Sequence, residues 1–281
     1  MKRSCLPLFI LLSIVFMPDL SGQNYKFKVG KWEREKIAPG LVYKHAHSRV
    51  TDTLMQNINV LVINTRRRPV SLVYNPSLNS PVSKQAAAAG ALAAANAGFF
   101  NIKDGGSATY IKVDGRIVDS DTASKWKRSP NMNGTLMIDR EGRVHIGPSR
   151  TNQWYDSHPE FDDVLVTGCL LLLDGRPAKL PESSLVVTRH PRTCIGTSGS
   201  RKVIIVTIDG RTAESAGMNL PMLAGFMKFL KCNDAVNLDG GGSTTLWIRN
   251  KPWDGVVNMP CDNKKFDHEG ARAVSDIICV W

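Results

Sequence analysis

Ala235-Val236-Asn237-Leu238-Asp239-Gly240-Gly241-Gly242-Ser243-Thr244-Thr245-Leu246-Trp247 is the stretch on which the fold of this chain turns. An apolar run arrives, a carboxylate closes it, three glycines follow, then three hydroxyls, and a second apolar run leaves. The pattern predicts strand, sharp loop, strand. Glycines reach positive φ without a Cβ penalty and let the backbone approach another group closely. Successive loop amides can form an anion-binding nest, and Ser243, Thr244 and Thr245 add donors beside it. Asp239 would stand at its mouth. A plainer reading is equally compatible with these residues: a glycine-rich hairpin turn whose Asp caps a backbone amide. The lysine of a phosphate-binding P-loop is missing, and so are the spaced glycines of a dinucleotide fold.

Around this stretch lie 281 residues, 42% of them hydrophobic, with a formal net charge of +11. That length and composition suit a globular chain with a sizeable core. The basic balance suits anionic partners. Basic residues are scattered apart from Arg66-Arg67-Arg68, which reads as a solvated turn before Pro69, so nucleic acid is not an expected partner.

Lys2 and Arg3 precede an apolar run over residues 6–17, and Leu20-Ser21-Gly22 offers small residues before Gln23. This predicts an export signal over residues 1–22 and a mature domain over 23–281, destined for the periplasm or the exterior. The run is too short for a membrane span, so no transmembrane anchor is expected. Export permits disulfides, and Cys169, Cys194, Cys232, Cys261 and Cys279 remain in the mature chain as an odd count.

Strand signals dominate. Residues 58–63 and 70–74 read as a strand pair joined through residues 66–69. His45 and His47 alternate on one strand face, expected to be exposed. Residues 83–95 read as an alanine-rich helix capped by Ser83, and residues 95–101 as a short buried strand. Three hairpins share one style, with turns at Asp114-Gly115, Glu141-Gly142 and Asp174-Gly175. Residues 150–163 read as a surface excursion. Residues 203–208 form a continuous apolar run, hence a strand buried on both faces. Residues 219–230 place Leu220, Leu223, Phe226, Met227 and Leu230 on one side of a helix, and residues 273–280 give a last strand. The expected class is α+β: a single domain with a mixed or largely antiparallel sheet and a few packed helices.

Candidate chemistry follows from where polar groups interrupt apolar runs. Asn96 sits among small residues, so it must find hydrogen-bond partners or face a ligand. Arg192, stiffened by Pro191 and followed by Thr193, suits a bidentate clamp for phosphate or carboxylate, or an ion pair with Asp209 or Asp239. Asp209 ends the central buried run, facing a site or capping the turn at Gly210. His190 is a possible acid on a loop. No serine sits in a nucleophile elbow, and no metal-ligand motif appears, so no metal or cofactor is assigned. An anion-binding loop, an arginine and carboxylates at strand ends suit hydrolysis of an anionic or glycosidic bond.

Five blocks in order resemble the phosphodiester glycosidase family: residues 95–101 around Asn96 and Gly98, 190–196 around Arg192, 206–211 around Asp209, 237–246 with the glycine loop, and Val256-Val257-Asn258-Met259-Pro260. The resemblance spans residues 40–281. It implies hydrolysis of a sugar-1-phosphodiester, with a phosphorylated glycan or similar substrate. It carries the catalytic roles to Asp239, Asp209 and Arg192. Substrate binding goes to Asn96, Gly98, Thr193, Gly240, Gly241, Gly242, Ser243 and Thr244. On this reading Arg192 and the loop amides hold the phosphate, Asn96 meets the sugar, and Asp239 acts at the sugar carbon. Two positions depart from the family pattern. Cys194 replaces a small residue, suggesting a disulfide with Cys169, and Ala271 precedes Arg272 where an acidic residue is common. The resemblance further implies a bacterial envelope member without accessory modules. The competing expectation is a non-catalytic envelope protein that binds phosphorylated glycans.

Overall fold

The computed structural model describes residues 25–51, 54–75, 80–119 and 129–281. The expected export signal lies outside the described residues. In chain order the elements begin with β1 (Glu33–Ala38), β2 (Leu41–Thr51), β3 (Leu54–Asn64), β4 (Val70–Tyr74), α1 (Val82–Ala89) and β5 (Ala93–Asn96). Three hairpins and a short helix follow: β6 (Ile111–Val113), β7 (Arg116–Asp119), β8 (Gly134–Asp139), β9 (Val144–Pro148), α2 (Asn152–Asp156), β10 (Phe161–Thr167), β11 (Leu170–Leu173) and β12 (Arg176–Pro177). The last part comprises α3 (Ser184–Val187), β13 (Arg192–Thr197), β14 (Lys202–Ile208), α4 (Leu220–Phe229), β15 (Asp234–Asn237), β16 (Leu246–Ile248) and β17 (Asp276–Val280). The class is α+β, and every strand ladder among the described residues is antiparallel.

Three sheets result. Eight strands run in the order β1-β2-β3-β14-β13-β15-β11-β12, five in the order β7-β6-β10-β8-β9, and four in the order β16-β5-β17-β4. Period-two alternation sets the layers. Ile58, Val60, Ile204, Val206 and Ile208 turn to one face, under Leu220, Leu223 and Phe226 of α4. Leu61, Ile63, Val203 and Ile205 turn to the other, into a core shared with Ala93, Ala95 and Ile278 of the four-stranded sheet and Ile111, Leu136 and Leu165 of the five-stranded one. Helix α1 covers the far face of the four-stranded sheet, with Val82 and Ala86 against Ala94, Ile277 and Cys279.

The three hairpins, the central strand β14 and helix α4 stand as expected, and Asn219 caps α4 by accepting from the Met222 amide. Other expectations are corrected. Strands β3 and β4 do not pair: β2 and β14 occupy both edges of β3, and β4 pairs with β17. The alanine-rich helix stops at Gly90, whose left-handed backbone (φ 78°) ends it, and Ala93 to Asn96 turn into β5. Pro81, not Ser83, is at its N-cap, without a side-chain bond. The stretch after Arg150 is no mere excursion, since Tyr155 is fully buried, with its hydroxyl 2.5 Å from that of Thr135 and accepting from the Arg150 amide at 2.7 Å. Cys169 and Cys194 are both buried free thiols, as are the other three described cysteines, so the expected disulfide is absent.

Candidate active site

The glycine loop is not a hairpin turn. β15 belongs to the eight-stranded sheet and β16 to the four-stranded one, so residues 238–245 carry the chain across the seam between them. The crossing is pinned on both sides. The Leu238 amide donates to the Thr193 carbonyl at 2.9 Å, and the Asp239 amide to the Ala97 carbonyl at 2.8 Å. Gly240 to Gly242 are required by close approach. A Cβ on Gly240 would lie 2.6 Å from the Pro191 carbonyl oxygen, and Gly241 has φ +63°.

Asn96 ties the crossing together. Its Nδ2 donates to the Asp239 carbonyl at 2.7 Å, and its Oδ1 accepts from Thr193 Oγ1 at 2.7 Å and the Thr245 amide at 3.1 Å. Asn96 and Thr193 are buried and bonded to one another, a frame under the loop rather than a surface for sugar. Gly98 is likewise structural. Its amide donates to Asp276 Oδ1, and a Cβ there would meet Asp276 and Leu165 at 2.8 Å.

Asp239 itself is half-buried, in the crossing two residues past the end of β15. Its Oδ1 accepts from the Gly240 amide at 2.9 Å. Burial pushes its carboxyl up to about 6, against the lowering effect of the adjacent Ser243 hydroxyl, the Gly240 amide and the charges of Arg272 and Arg192. A carboxylate held near neutral pH on a rigid loop end can act as a base or a nucleophile.

The other expected residues turn inward. Arg192 is 1% exposed. Its Nε donates to the Met218 carbonyl at 2.9 Å and its Nη2 to those of Leu185 and Thr188, both at 2.8 Å. Burial brings it down to about 10. It pairs with neither Asp209 nor Asp239; it stitches the loop before β13 to the one before α4. Asp209 is also 1% exposed. It accepts from Asn57 Nδ2 (2.7 Å), Asn258 Nδ2 (2.8 Å) and the Met259 amide (2.9 Å). Asn258 in turn donates to the Thr244 carbonyl at 3.0 Å and accepts from the Leu246 amide at 2.7 Å. Asp209 therefore acts on the loop through Asn258. The amide nest is corrected as well: the amides of Gly240, Gly241, Ser243, Thr244 and Thr245 all donate to protein acceptors.

Sequence reasoning missed three groups that the fold brings to this loop. Arg211 follows Asp209-Gly210 and reaches over Gly241. Arg272 reaches Gly242, beside its partner Asp262. Asp276 opens the last apolar run and is buried; burial, and then the charges of Asp239 and Asp119, push its carboxyl up to about 7. The signal for Asp276 was available, since a carboxylate at the end of an apolar run is the same signature that singled out Asp239. His190 borders the loop too, and its Nδ1 lies 3.1 Å from Arg211 Nη2. Burial and the charges of Arg192 and Arg211 push it down to about 4.

A family model described as phosphodiester glycosidase matches residues 89–281, which contain the whole of this loop and every group around it. The chain belongs to the phosphodiester glycosidase family. The mouse and human proteins named N-acetylglucosamine-1-phosphodiester alpha-N-acetylglucosaminidase are each 26% identical to it over 214 residues. Those matches cover 71% of this chain but 39% of each relative, so the chain spans well under half the length of these relatives. The zebrafish catalytic domain of the same name, described as auto-inhibited by its pro-peptide, superposes with a TM-score of 0.70. That match is 21% identical and covers 91% of this chain and 87% of the other, a likeness of fold. The zebrafish domain thus shares its overall fold with this chain. Among the described residues, no helix is long and apolar enough to cross a membrane.

Proposed function

We propose that this phosphodiester glycosidase domain hydrolyses a sugar-1-phosphodiester, releasing the sugar and leaving a phosphomonoester on the acceptor. The observation that carries the reading is Asp239: a half-buried carboxylate on a pinned loop just past a strand, with cationic side chains close enough to shift its titration. Water attacks the anomeric carbon, the bond from that carbon to the phosphate oxygen breaks, and the electron pair leaves with the phosphate. A phosphate oxygen is a better leaving group than a sugar hydroxyl, so protonation by a general acid matters less than in an ordinary glycosidase. Asp239 takes the proton of the attacking water or attacks the carbon first; in either route its ionised form is the active one. Positive charge opposite it stabilises the departing phosphate. The names of the mouse and human relatives make N-acetylglucosamine the first sugar to test.

The assay uses the methyl ester of N-acetylglucosamine-1-phosphate, with free sugar as readout. Asp239→Asn keeps shape and a hydrogen-bonding oxygen but removes the base, and should lower turnover by about 10²-fold or more. Wild-type turnover in Asp239→Asn would remove Asp239 from the chemistry. Sugar release by neither protein, with phosphodiester binding intact, would favour the non-catalytic glycan-binding reading.

We also place the protein outside the cytoplasm. Lys2 and Arg3 before an apolar run support export. Intact mass of the secreted protein should correspond to a chain beginning near Gln23; folded, secreted protein retaining Met1 would count against it.

A further inference from the structure

Three arginines surround the glycine loop, and their hydrogen bonds differ. Arg192 gives its Nε–H and both Nη2 hydrogens to main-chain carbonyls, in a buried position. Arg211 is exposed and, among the described residues, has no carboxylate within ion-pair distance. It reaches over the loop: a Cβ on Gly241 would be 3.0, 3.2 and 3.3 Å from its Nη2, Nη1 and Cζ. Both Nη atoms are nearer than Cζ, so the Nη1/Nη2 end of the guanidinium covers the glycine. Nη2 touches His190 Nδ1, a ring held neutral and so able to accept.

Arg272 is the counterpart over Gly242. A Cβ there would collide with its guanidinium, Cζ standing 2.7 Å away. Asp262 Oδ1 takes its Nε at 3.1 Å and also its Nη2. Both bonds use the side edge of the guanidinium, so the Nη1 end is left over. Among the described residues, the Gly242 amide between the two arginines is the one amide from Gly240 to Thr245 without a protein acceptor. Two guanidinium groups and one amide without a protein acceptor therefore lie along Gly241 and Gly242, directly after Asp239 and Gly240.

We infer that Arg211, Arg272 and the Gly242 amide form the phosphate seat of this site, and that Arg192 is a structural arginine outside it. The inference rests on the sugar-phosphodiester reading above for its substrate but not for its geometry. Planar forks suit phosphate because two parallel N–H bonds meet two oxygens. The glycines at 241 and 242 are present because a side chain at either would occupy the place of a guanidinium. Asp262 keeps Arg272 oriented and, being exposed, can be displaced by an incoming anion at little cost.

Binding of inorganic phosphate to the full chain, by calorimetry at low salt, tests the seat without requiring turnover. Arg211→Gln and Arg272→Gln should each weaken phosphate about 10- to 100-fold, the equivalent of one charge-assisted hydrogen bond. Each should raise KM for the phosphodiester more than it lowers kcat. Arg272→Lys should recover only part of the loss, since a point charge lacks the fork. Arg192→Lys should melt lower than wild type yet bind phosphate within about threefold of it. Unchanged phosphate affinity in both glutamine variants overturns the seat. So does a folded Arg192→Lys that alone loses phosphate, or a wild-type protein that shows no phosphate binding. If no phosphodiester is ever cleaved but both glutamine variants lose phosphate, the seat stands and the catalytic reading falls.

Discussion

Asn96 donates to the carbonyl of Asp239 at 2.7 Å across 143 residues of sequence, while its own oxygen holds the amide of Thr245. One buried side chain thus grips the glycine loop at both ends and ties it to the last residue of β5. The Asn96 amide thereby fixes the backbone that carries the Asp239 carboxylate.

That arrangement makes Asn96 a residue whose loss is felt twice. Asn96→Leu is nearly isosteric but leaves the Asp239 carbonyl, the Thr245 amide and the Thr193 hydroxyl without partners. Each orphaned buried group costs about 1–3 kcal/mol. Urea unfolding should therefore show a loss of at least ~2 kcal/mol, with kcat reduced more than KM is raised. A variant with wild-type stability would mean that the loop is held some other way.

Glycine replacements should separate by what surrounds them. Gly240→Ala drives a Cβ to 2.6 Å from the Pro191 carbonyl oxygen, which is backbone and must shift. About 1–3 kcal/mol of stability should be lost, as in other overpacked sites, together with turnover. Gly147 in β9 has nothing within 4 Å of its missing Cβ, so Gly147→Ala should stay within about 0.5 kcal/mol of wild type. Paired thermal melts compare the two; equal melting temperatures would refute the close-approach argument.

Three buried or half-buried carboxyls predict how stability follows pH. Burial raises Asp209 and Asp239 to about 6 and Asp276 to about 7, each from an ordinary value of 3.8. Between about pH 4 and 7 the unfolded chain releases these protons while the native protein keeps them. The native state then binds more protons, so stability falls as pH rises through that window and levels off above it. Asp139 acts in the opposite sense and lower, since bonds from His145 and Arg143 outweigh its burial and bring it down to about 2. Its contribution is complete above about pH 4 and is lost as pH falls toward 2. Asp276→Asn keeps an acceptor for the Gly98 amide but does not ionise. Its urea midpoint should decline less than that of wild type between pH 4 and 7, and parallel declines would rule out Asp276 as a source.

Much of this was legible before any fold was known. Alternation and turn residues are local properties. They located the hairpins at Asp114-Gly115, Glu141-Gly142 and Asp174-Gly175, the apolar strand β14, the amphipathic helix α4, and the interruption of an apolar run at Asp239. The α+β class followed, because short strands with few helices bury their faces in few ways. Ordered blocks around those interruptions carried the family, since a loop that demands glycine or a buried asparagine leaves a mark in the residues themselves.

Tertiary structure alone decided which strands meet and which way the polar side chains point. Backbone hydrogen bonds along a strand edge are the same for any residue, so nothing in β3 or β4 announces that they lie in different sheets. For the same reason the glycine loop could be read as a hairpin when it is a crossing between sheets. Arg192 and Asp209 carried the marks of site residues yet are buried among carbonyls and amides supplied by distant segments. Arg211 and Arg272 carried few such marks, and they came to cover the glycines only when the two sheets were packed. Burial and hydrogen-bond satisfaction are set by neighbours remote in sequence, and those neighbours exist only in the folded chain.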